Sequence, residues 1–222
     1  QPRYPTLSAA GRRGYPLSGR GGNVLDQIVR ERILSLYPDL TVDEVVALRQ
    51  RQGWFDEQWL KRLERERTDF KSTMSRWLST HTEGVEPFSE ADRKALKAKR
   101  AIYDTLHDAL KEVGPRHYDA NGQYVGQRIE WVEADLQQQP RTLPDLPANF
   151  DRVTRLTLIS SHVTDADIGR LLVNFRGLRV LSLDGGELTE LPRAIGDMPH
   201  LRSLDLASNL ITLKPADVVL LG

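Results

Sequence analysis

The chain has 222 residues, a length that suits one large domain or two modest ones. Its 31 Lys and Arg residues equal its 31 Asp and Glu residues, so the net charge is zero and does not favour nucleic acid or an anionic membrane as a partner. The lack of cysteine excludes disulfides, cysteine metal ligands and a thiol nucleophile within these residues. No apolar run approaches the ~18 residues that a membrane span requires.

The first segment, residues 1–22, is rich in proline, glycine and arginine and has no acidic residue. Such a composition buries too little apolar surface to fold, which predicts a flexible linker. A nucleic-acid-binding tail would need repeated Arg-Gly units, and one Arg-Gly-Gly at residues 20–22 is too little. Because the chain starts within a linker and stops before a further repeat, we expect an internal piece of a longer protein, truncated at its C-terminus.

Residues 23–115 have helical periodicity and are predicted to form a helical domain. Thr41 and Glu44 have the spacing of a capping box at the start of a second helix. The third helix is expected to run for about 25 residues, and the fourth to begin at Ser89 and stop at Gly114-Pro115. The apolar stripes are formed by Leu25, Ile28, Val29, Ile33, Leu34, Val45, Val46, Leu48, Leu60, Leu63, Phe70, Met74, Trp77, Leu78, Ala98, Ile102, Leu106, Leu110 and Val113.

Two features of this helical domain allow a second interpretation. The three tryptophans at 54, 59 and 77 fit packing between antiparallel helices better than a ligand groove. The run of basic residues Arg93, Lys94, Lys97, Lys99 and Arg100 is interpreted as a solvated helix face. The alternative is that this basic run is a binding site for an acidic partner.

Three segments with leucine-rich-repeat spacing dominate the rest of the chain, and they begin at Val153, Leu178 and Leu201. Each has the pattern of an apolar residue, two positions, Leu, one position, Leu. The alternation predicts a strand whose two leucines point into the core while the residue between them faces out. Each strand is expected to be followed by a return on the convex side, helical over residues 165–174 and tighter after Leu191-Pro192.

An atypical unit at about residues 125–150 keeps the repeat spacing with Ile129, Trp131, Ala134 and Leu136, which suits an N-terminal cap repeat. Residues 116–222 are therefore assigned to the repeats. The expected fold class is α plus α/β solenoid: an N-terminal helical bundle that caps a leucine-rich-repeat solenoid.

The repeats differ at the position where an asparagine side chain usually bonds the backbone of neighbouring turns. Asn209 occupies this position in the third repeat, whereas Ser161 and Gly186 replace it in the first two. Serine can still bond locally but glycine cannot, so the second turn is expected to be looser.

The outward strand positions are the candidate binding site, on the concave face of the solenoid. A polar surface of mixed charge suits a protein partner bound through charge-assisted hydrogen bonds. An alternative is that these side chains serve solubility and that the interface lies in further repeats. The candidate residues are Arg155, Thr157, Ile159, Arg179, Ser182, Asp184, Arg202 and Asp205.

Catalytic and metal-binding patterns are lacking in the sequence. The five histidines, at positions 81, 107, 117, 162 and 200, show no zinc-ligand spacing and no triad pattern. No nucleophile elbow of the Gly-x-Ser-x-Gly type occurs. We therefore expect no enzyme activity, metal, cofactor or small-molecule ligand for this segment, and a protein as its partner.

The order of features resembles one family. LYPDLTVDEVVALRQ, FKSTMSRWL, RHYDANGQYVGQRIEW, LPDLPANFDRVTRLTL and FRGLRVLSLDGGELTELP are similar to the middle of large bacterial effectors, best known from pseudomonads. In that family a helical stretch and leucine-rich repeats precede a C-terminal "novel E3 ligase" domain. The resemblance covers nearly the whole chain.

The resemblance implies a parent protein that is a secreted virulence effector acting in the host cytoplasm. The family's ligase domain accepts ubiquitin on a cysteine, and since this chain has none, no catalytic residue carries over. The segment would then recognise a host protein substrate or restrain the parent's own ligase domain. The alternative is a spacer or binding module in a dermonecrotic-toxin-like protein without ligase activity.

Overall fold

The computed structural model describes residues 19–52, 57–132, 136, 139–159 and 162–221. Four helices come first: α1 (Gly19–Leu36), α2 (Val42–Gln52), α3 (Glu57–Ser79) and α4 (Glu90–Lys111). Five strands follow: β1 (Arg116–Tyr118), β2 (Tyr124–Val132), β3 (Val153–Ile159), β4 (Val180–Asp184) and β5 (Ser203–Asp205). Helix α5 (Asp165–Leu172) connects β3 to β4, and α6 (Asp217–Leu221) lies near the end. The helices and one mixed sheet give an α plus β fold.

The start of the helical region differs from the sequence prediction. Helix α1 begins at Gly19, so residues 19–22 are helical rather than part of a linker. Residues 1–18, the rest of the predicted linker, lie outside the described residues. Residues 19–22 have the sequence Gly-Arg-Gly-Gly, and glycine disfavours a helix. Their composition therefore gave no sign that the helix begins at Gly19.

The helix caps follow the local sequence signals. The backbone N–H of Thr41 donates to the Glu44 carboxylate at 2.7 Å, and the Glu44 N–H donates to Thr41 Oγ1 at 3.3 Å, which is the predicted capping box. Ser89 caps α4 as predicted by accepting from the Asp92 N–H. The helix ends earlier than predicted, however, because the left-handed residue after Lys111 is Glu112, with φ of 57°, and not Gly114.

The helices bury most of their apolar stripes in two separate clusters, although Ile28 of the predicted stripe is exposed. Helices α1 and α2 pack with the first turns of α3 around Ile33, Val45 and Leu60. The second half of α3 packs with α4 and the sheet, where Phe70 and Ile102 are fully buried. Helix α3 therefore belongs to both clusters.

One member of the basic run is not solvated as predicted. Lys99 is 3% exposed, and its ammonium group donates to the carbonyl oxygens of Trp77 and Thr80 at 3.1 and 2.7 Å. These carbonyls lie at the C-terminal end of α3, where a cation is favoured by the helix dipole. Arg93, Lys94, Lys97 and Arg100 are exposed.

The sheet has the strand order β1-β2-β3-β4-β5, with β1 antiparallel to β2 and the other pairs parallel. The inward leucines of β3 and β4 are at most 1% exposed, as the alternating pattern predicted. In the atypical unit, Ile129, Trp131 and Leu136 are buried as expected, whereas residue 134 lies outside the described part. Strand β1 was not predicted, and it adds a hairpin that pairs with the free edge of β2.

The connections between strands pack against the inner side of the sheet. Thr164 and Asp167 form a capping box at the start of α5, whose Ile168, Leu171 and Leu172 are buried as predicted. The return after β4 is a short 3₁₀ helix, Arg193–Asp197, with Ile195 buried.

Asn209 bonds two neighbouring turns, as its position in the repeat predicted. Its side-chain amide donates to the carbonyl oxygens of Leu183 and Leu206, and its Oδ1 accepts from the Leu188 N–H at 3.2 Å. A Cβ at Gly186 would stand 2.7 Å from this Oδ1. The glycine therefore makes room for Asn209 of the next turn, while Ser161 lies outside the described residues.

Candidate protein-binding face

The outer face is defined as the side of β2 to β5 opposite the leucine core. Side chains reach it from every second strand position. It is formed by Arg128, Glu130 and Val132 of β2, Arg155, Thr157 and Ile159 of β3, Val180, Ser182 and Asp184 of β4, and Ser203 and Asp205 of β5.

The strand register places the predicted columns side by side. Thr157 is paired with Glu130 on one side and Ser182 on the other, and Ser182 is paired with Asp205. Ile159 is likewise paired with Asp184. Five of the eight candidate residues thus form one continuous surface, which is polar except for Ile159.

Three candidate arginines lie at the end of the outer face where the strands begin. Arg155 opens β3 on this face, and its register partners are Arg128 and Val180. The loops before β4 and β5 hold Arg179 and Arg202, whose backbones are joined by an N–H to carbonyl bond of 2.9 Å. Arg155 and Arg202 are exposed, and Arg179 is half-buried.

These arginines are not paired with the aspartates of the same face. Within the described part of the chain, no ion pair joins Arg155, Arg179 or Arg202 to a carboxylate. Asp205 instead accepts from the Ala207 N–H at 3.0 Å. The Oδ1 atom of Asp184 is buried and accepts no hydrogen bond from the described residues.

His117 lies at the base of the outer face, a residue that the sequence did not single out. The imidazole is buried and its Nδ1 lies 2.8 Å from Thr154 Oγ1. Burial lowers the pKa of His117, and the nearby charges of Arg155 and Arg179 lower it further. The histidine depends on β1, whose three residues carry no alternating pattern of their own, so the strand pattern did not point to it.

A concavity lies at the turn between α3 and α4, with a volume of about 330 Å³. Its wall includes His81, Phe88 and Asp92, and His81 Nδ1 lies 3.4 Å from the Asp92 carboxylate. Lys99 also lines it, but the ammonium group is already bonded to three oxygens of Trp77 and Thr80. The arrangement offers no activated nucleophile.

Trp59 and Trp77 do not share a groove. Trp77 is buried in the core with the sheet, and its Nε1 donates to Thr142 Oγ1 at 3.1 Å. Trp59 packs on the other cluster, with α1 and α2. Trp54 lies outside the described residues.

Neither a metal centre nor a membrane span is found in the described part of the molecule. No three His, Asp or Glu side chains there lie together in a way that could hold a metal ion. None of the helices that the structure describes combines the length and apolarity needed to cross a bilayer.

Comparison with known proteins found two partial likenesses. A stretch of 107 residues, 48% of this chain, is 28% identical to the proposed disease resistance protein RGA1 of Solanum bulbocastanum and covers 9% of that protein. A stretch of 42 residues, 19% of this chain, is 50% identical to an uncharacterized leucine-rich repeat-containing protein of Schizosaccharomyces pombe and covers 7% of it. No family model matches the chain, and no solved structure matches it.

The chain thus spans less than a tenth of either relative. The two likenesses support a leucine-rich-repeat kind for part of the chain and point to a role in protein–protein interaction.

Proposed function

We propose that these residues form a protein-binding module in which the strands β2 to β5 line the concave side of a leucine-rich-repeat solenoid. Parallel strands in chain order and returns on one side of the sheet are what stacked repeats require. The outer face is then the concave surface, which such proteins use for binding.

The observation that carries this proposal is the set of polar groups without partners on the outer face and in the loops at the strand starts beside it. Arg155, Arg179 and Arg202 carry charges that no carboxylate among the described residues neutralises. The buried Asp184 Oδ1 is an acceptor without a donor among the described residues. Because a buried unsatisfied acceptor costs about 1–3 kcal/mol, a partner that donates to it gains affinity.

The proposed identity of the parent protein rests on the family resemblance of the sequence alone. On that basis the module belongs to a secreted bacterial effector that is a ubiquitin transferase in the host cytoplasm, through a cysteine elsewhere in the parent. The module would present the host substrate or restrain the ligase domain.

The binding function is tested by site-specific crosslinking. A photoreactive amino acid replaces the half-buried Thr157 on the outer face, and in a control protein it replaces the equally half-buried Thr105 of α4. We expect discrete adducts with proteins of a eukaryotic cell extract from position 157, which disappear in the variant Arg179→Glu with Arg202→Glu. Unchanged circular dichroism shows that the variant is folded.

Adducts that are equal at both positions, or that survive the double substitution, would place the interface elsewhere and favour the spacer role. The ligase assignment is tested separately with a longer natural protein that carries this chain. Incubated with ubiquitin-charged conjugating enzyme, it should form a ubiquitin adduct that reductant removes. No adduct, even after the repeats are deleted to relieve restraint, would refute a ligase parent.

A further inference from the structure

The four arginines at the strand starts form a concentration of like charge, here named the arginine cluster: Arg128, Arg155, Arg179 and Arg202. Arg128 and Arg155 are direct register partners on the parallel strands β2 and β3. Neighbouring strands are about 4.8 Å apart, so two guanidinium groups leave adjacent backbones on the same face. Like charges in this relation destabilise a sheet unless an anion lies between them.

The fold does not supply that anion from the part of the chain that is described. Some arginines of the molecule are paired, such as Arg32 with Glu57 and Glu64, and Arg152 with Glu112. None of the four cluster arginines makes an ion pair with a described carboxylate. What distinguishes the cluster is that its unpaired charges lie side by side at the starts of neighbouring strands.

We propose that the arginine cluster binds the carboxylates of an Asp- or Glu-rich segment of a protein partner. This inference rests on the proposed function of the outer face and names the chemistry of its partner. Guanidinium groups bind carboxylates through two parallel N–H to oxygen bonds, which gives both strength and direction.

The surroundings of the cluster favour an acidic peptide over a nucleic acid. Glu130, Asp184 and Asp205 lie on the same face beyond the arginines, and they would repel a phosphate backbone, which is charged at every nucleotide, whereas a peptide can place uncharged residues there. The outer face as defined above holds no aromatic side chain on which a base could stack. Asp184 lies four strand positions, about 13 Å, beyond Val180, the register partner of Arg155. At that distance it can accept a hydrogen bond from a donor group of the bound segment.

His117 supplies an internal reporter of occupancy. Its imidazole is close enough to Arg155, Arg179 and Arg128 for their charges to lower its pKa, while Asp119 acts in the opposite direction. A carboxylate bound to the cluster adds negative charge near the ring. Binding should therefore raise the pKa of His117 without changing the fold.

The experiment measures binding of a fluorescently labelled peptide of eight glutamates to the whole chain by fluorescence anisotropy at low salt. The test variant is Arg128→Gln with Arg155→Gln, and the matched control is Arg93→Gln with Arg100→Gln, two exposed arginines of α4. We expect the test variant to raise Kd at least tenfold and the control to leave it within twofold. Free-energy measurements by urea unfolding should show the test variant to be as stable as the parent or more stable, because it relieves repulsion between like charges.

Proton NMR titration of His117 supplies the second readout, with a higher pKa expected in the peptide complex than in the free protein. Absence of peptide binding, equal losses in both variants, or tighter binding of an eight-nucleotide RNA would overturn the inference. If the peptide fails to bind while the crosslinks from position 157 remain, the inference fails and the protein-binding function of the outer face stands.

Discussion

Lys99 is a charged residue whose task is structural. Its ammonium group fills the C-terminal end of α3 by donating to Trp77 O at 3.1 Å, Thr80 O at 2.7 Å and Thr80 Oγ1 at 3.2 Å. It also lies 5.3 Å from the centre of the Trp77 ring, where a cation–π contact is favourable. Burial lowers the pKa of Lys99, so the bonds to these acceptors must offset the cost of removing the charge from water.

Replacing Lys99 with methionine keeps the apolar stem and removes the three hydrogen bonds. We expect Lys99→Met to lower the free energy of unfolding by about 1–3 kcal/mol, because acceptors at the end of α3 are left unsatisfied. The control is Lys97→Met, at an exposed position of the same helix. Urea unfolding followed by circular dichroism measures both, and equal midpoints for the two variants would contradict the structural role.

At the scale of residues, the sequence predicted the roles that depend on a local pattern or on the repeat. Thr41 and Ser89 cap their helices as expected, because a cap is a local pattern. Asn209 bonds the adjacent turn, because the repeat fixes its place. Lys99 and His117 escaped prediction, since their partners, Trp77 and Thr154, are 22 and 37 positions away.

Successive elements meet at closely packed corners, and one of them depends on a glycine. Gly177, in the loop before β4, lies against the backbone of Asp151 before β3, so that an added Cβ would overlap the Asp151 carbonyl. The Phe150 N–H donates to Asn174 O at 2.9 Å in the same corner. The contact sets how closely one turn of the chain stacks on the previous one.

A pair of glycine substitutions tests this corner. Gly177→Ala should lower the free energy of unfolding by at least about 1–3 kcal/mol, because the methyl group can enter only if backbone moves. Gly169→Ala in α5 is the matched control: no atom lies within 4 Å of its added Cβ, so it should stabilise by about 0.5–1 kcal/mol. Thermal unfolding of the two variants should therefore shift in opposite directions, and a shared upward shift would show that the corner is loose.

At the scale of elements, the three repeat strands were predictable and the hairpin before them was not. The strands β3, β4 and β5 lie where the alternating leucines placed them. Strand β1 has three residues and gains its structure by pairing, for example His117 with Gly126. The Asn121-Gly122 pair in the turn, of the kind common in hairpins, was the available signal. The outer-face columns could be listed from the sequence, whereas the lack of ion pairs among them depended on side-chain geometry.

At the scale of the whole molecule, α3 joins two cores of different composition. Its Leu60 is buried with Ile33 and Val45, and its Phe70 is buried with the sheet. Arg67 lies between the two, donating to Leu110 O at 2.8 Å while its guanidinium lies 5.7 Å from the centre of the Tyr37 ring. The core that includes the sheet is the larger, and it holds the outer face in place.

The two cores should therefore differ in their response to cavities. Leu60→Ala is expected to cost about 2–5 kcal/mol within the smaller core, because a fully buried leucine side chain is removed. Amide hydrogen exchange followed by mass spectrometry should show lost protection in α1 and α2, while peptides covering β3 and β4 keep theirs. Local opening of this kind is expected where one packed unit can separate from another.

The reciprocal variant is Phe70→Ala, which removes a ring 6.0 Å from Tyr103 and 6.1 Å from Phe150 in the larger core. Because that core continues into the strands, the loss should appear in α4 and in β3 as well as in α3. If Leu60→Ala lowered protection in the strands as much as Phe70→Ala does, the molecule would unfold as one unit and α3 would transmit the damage between the cores. Unequal patterns of protection would instead mean that the outer face keeps its structure while the first two helices open. Peptide binding to the arginine cluster should then survive Leu60→Ala and fail in Phe70→Ala.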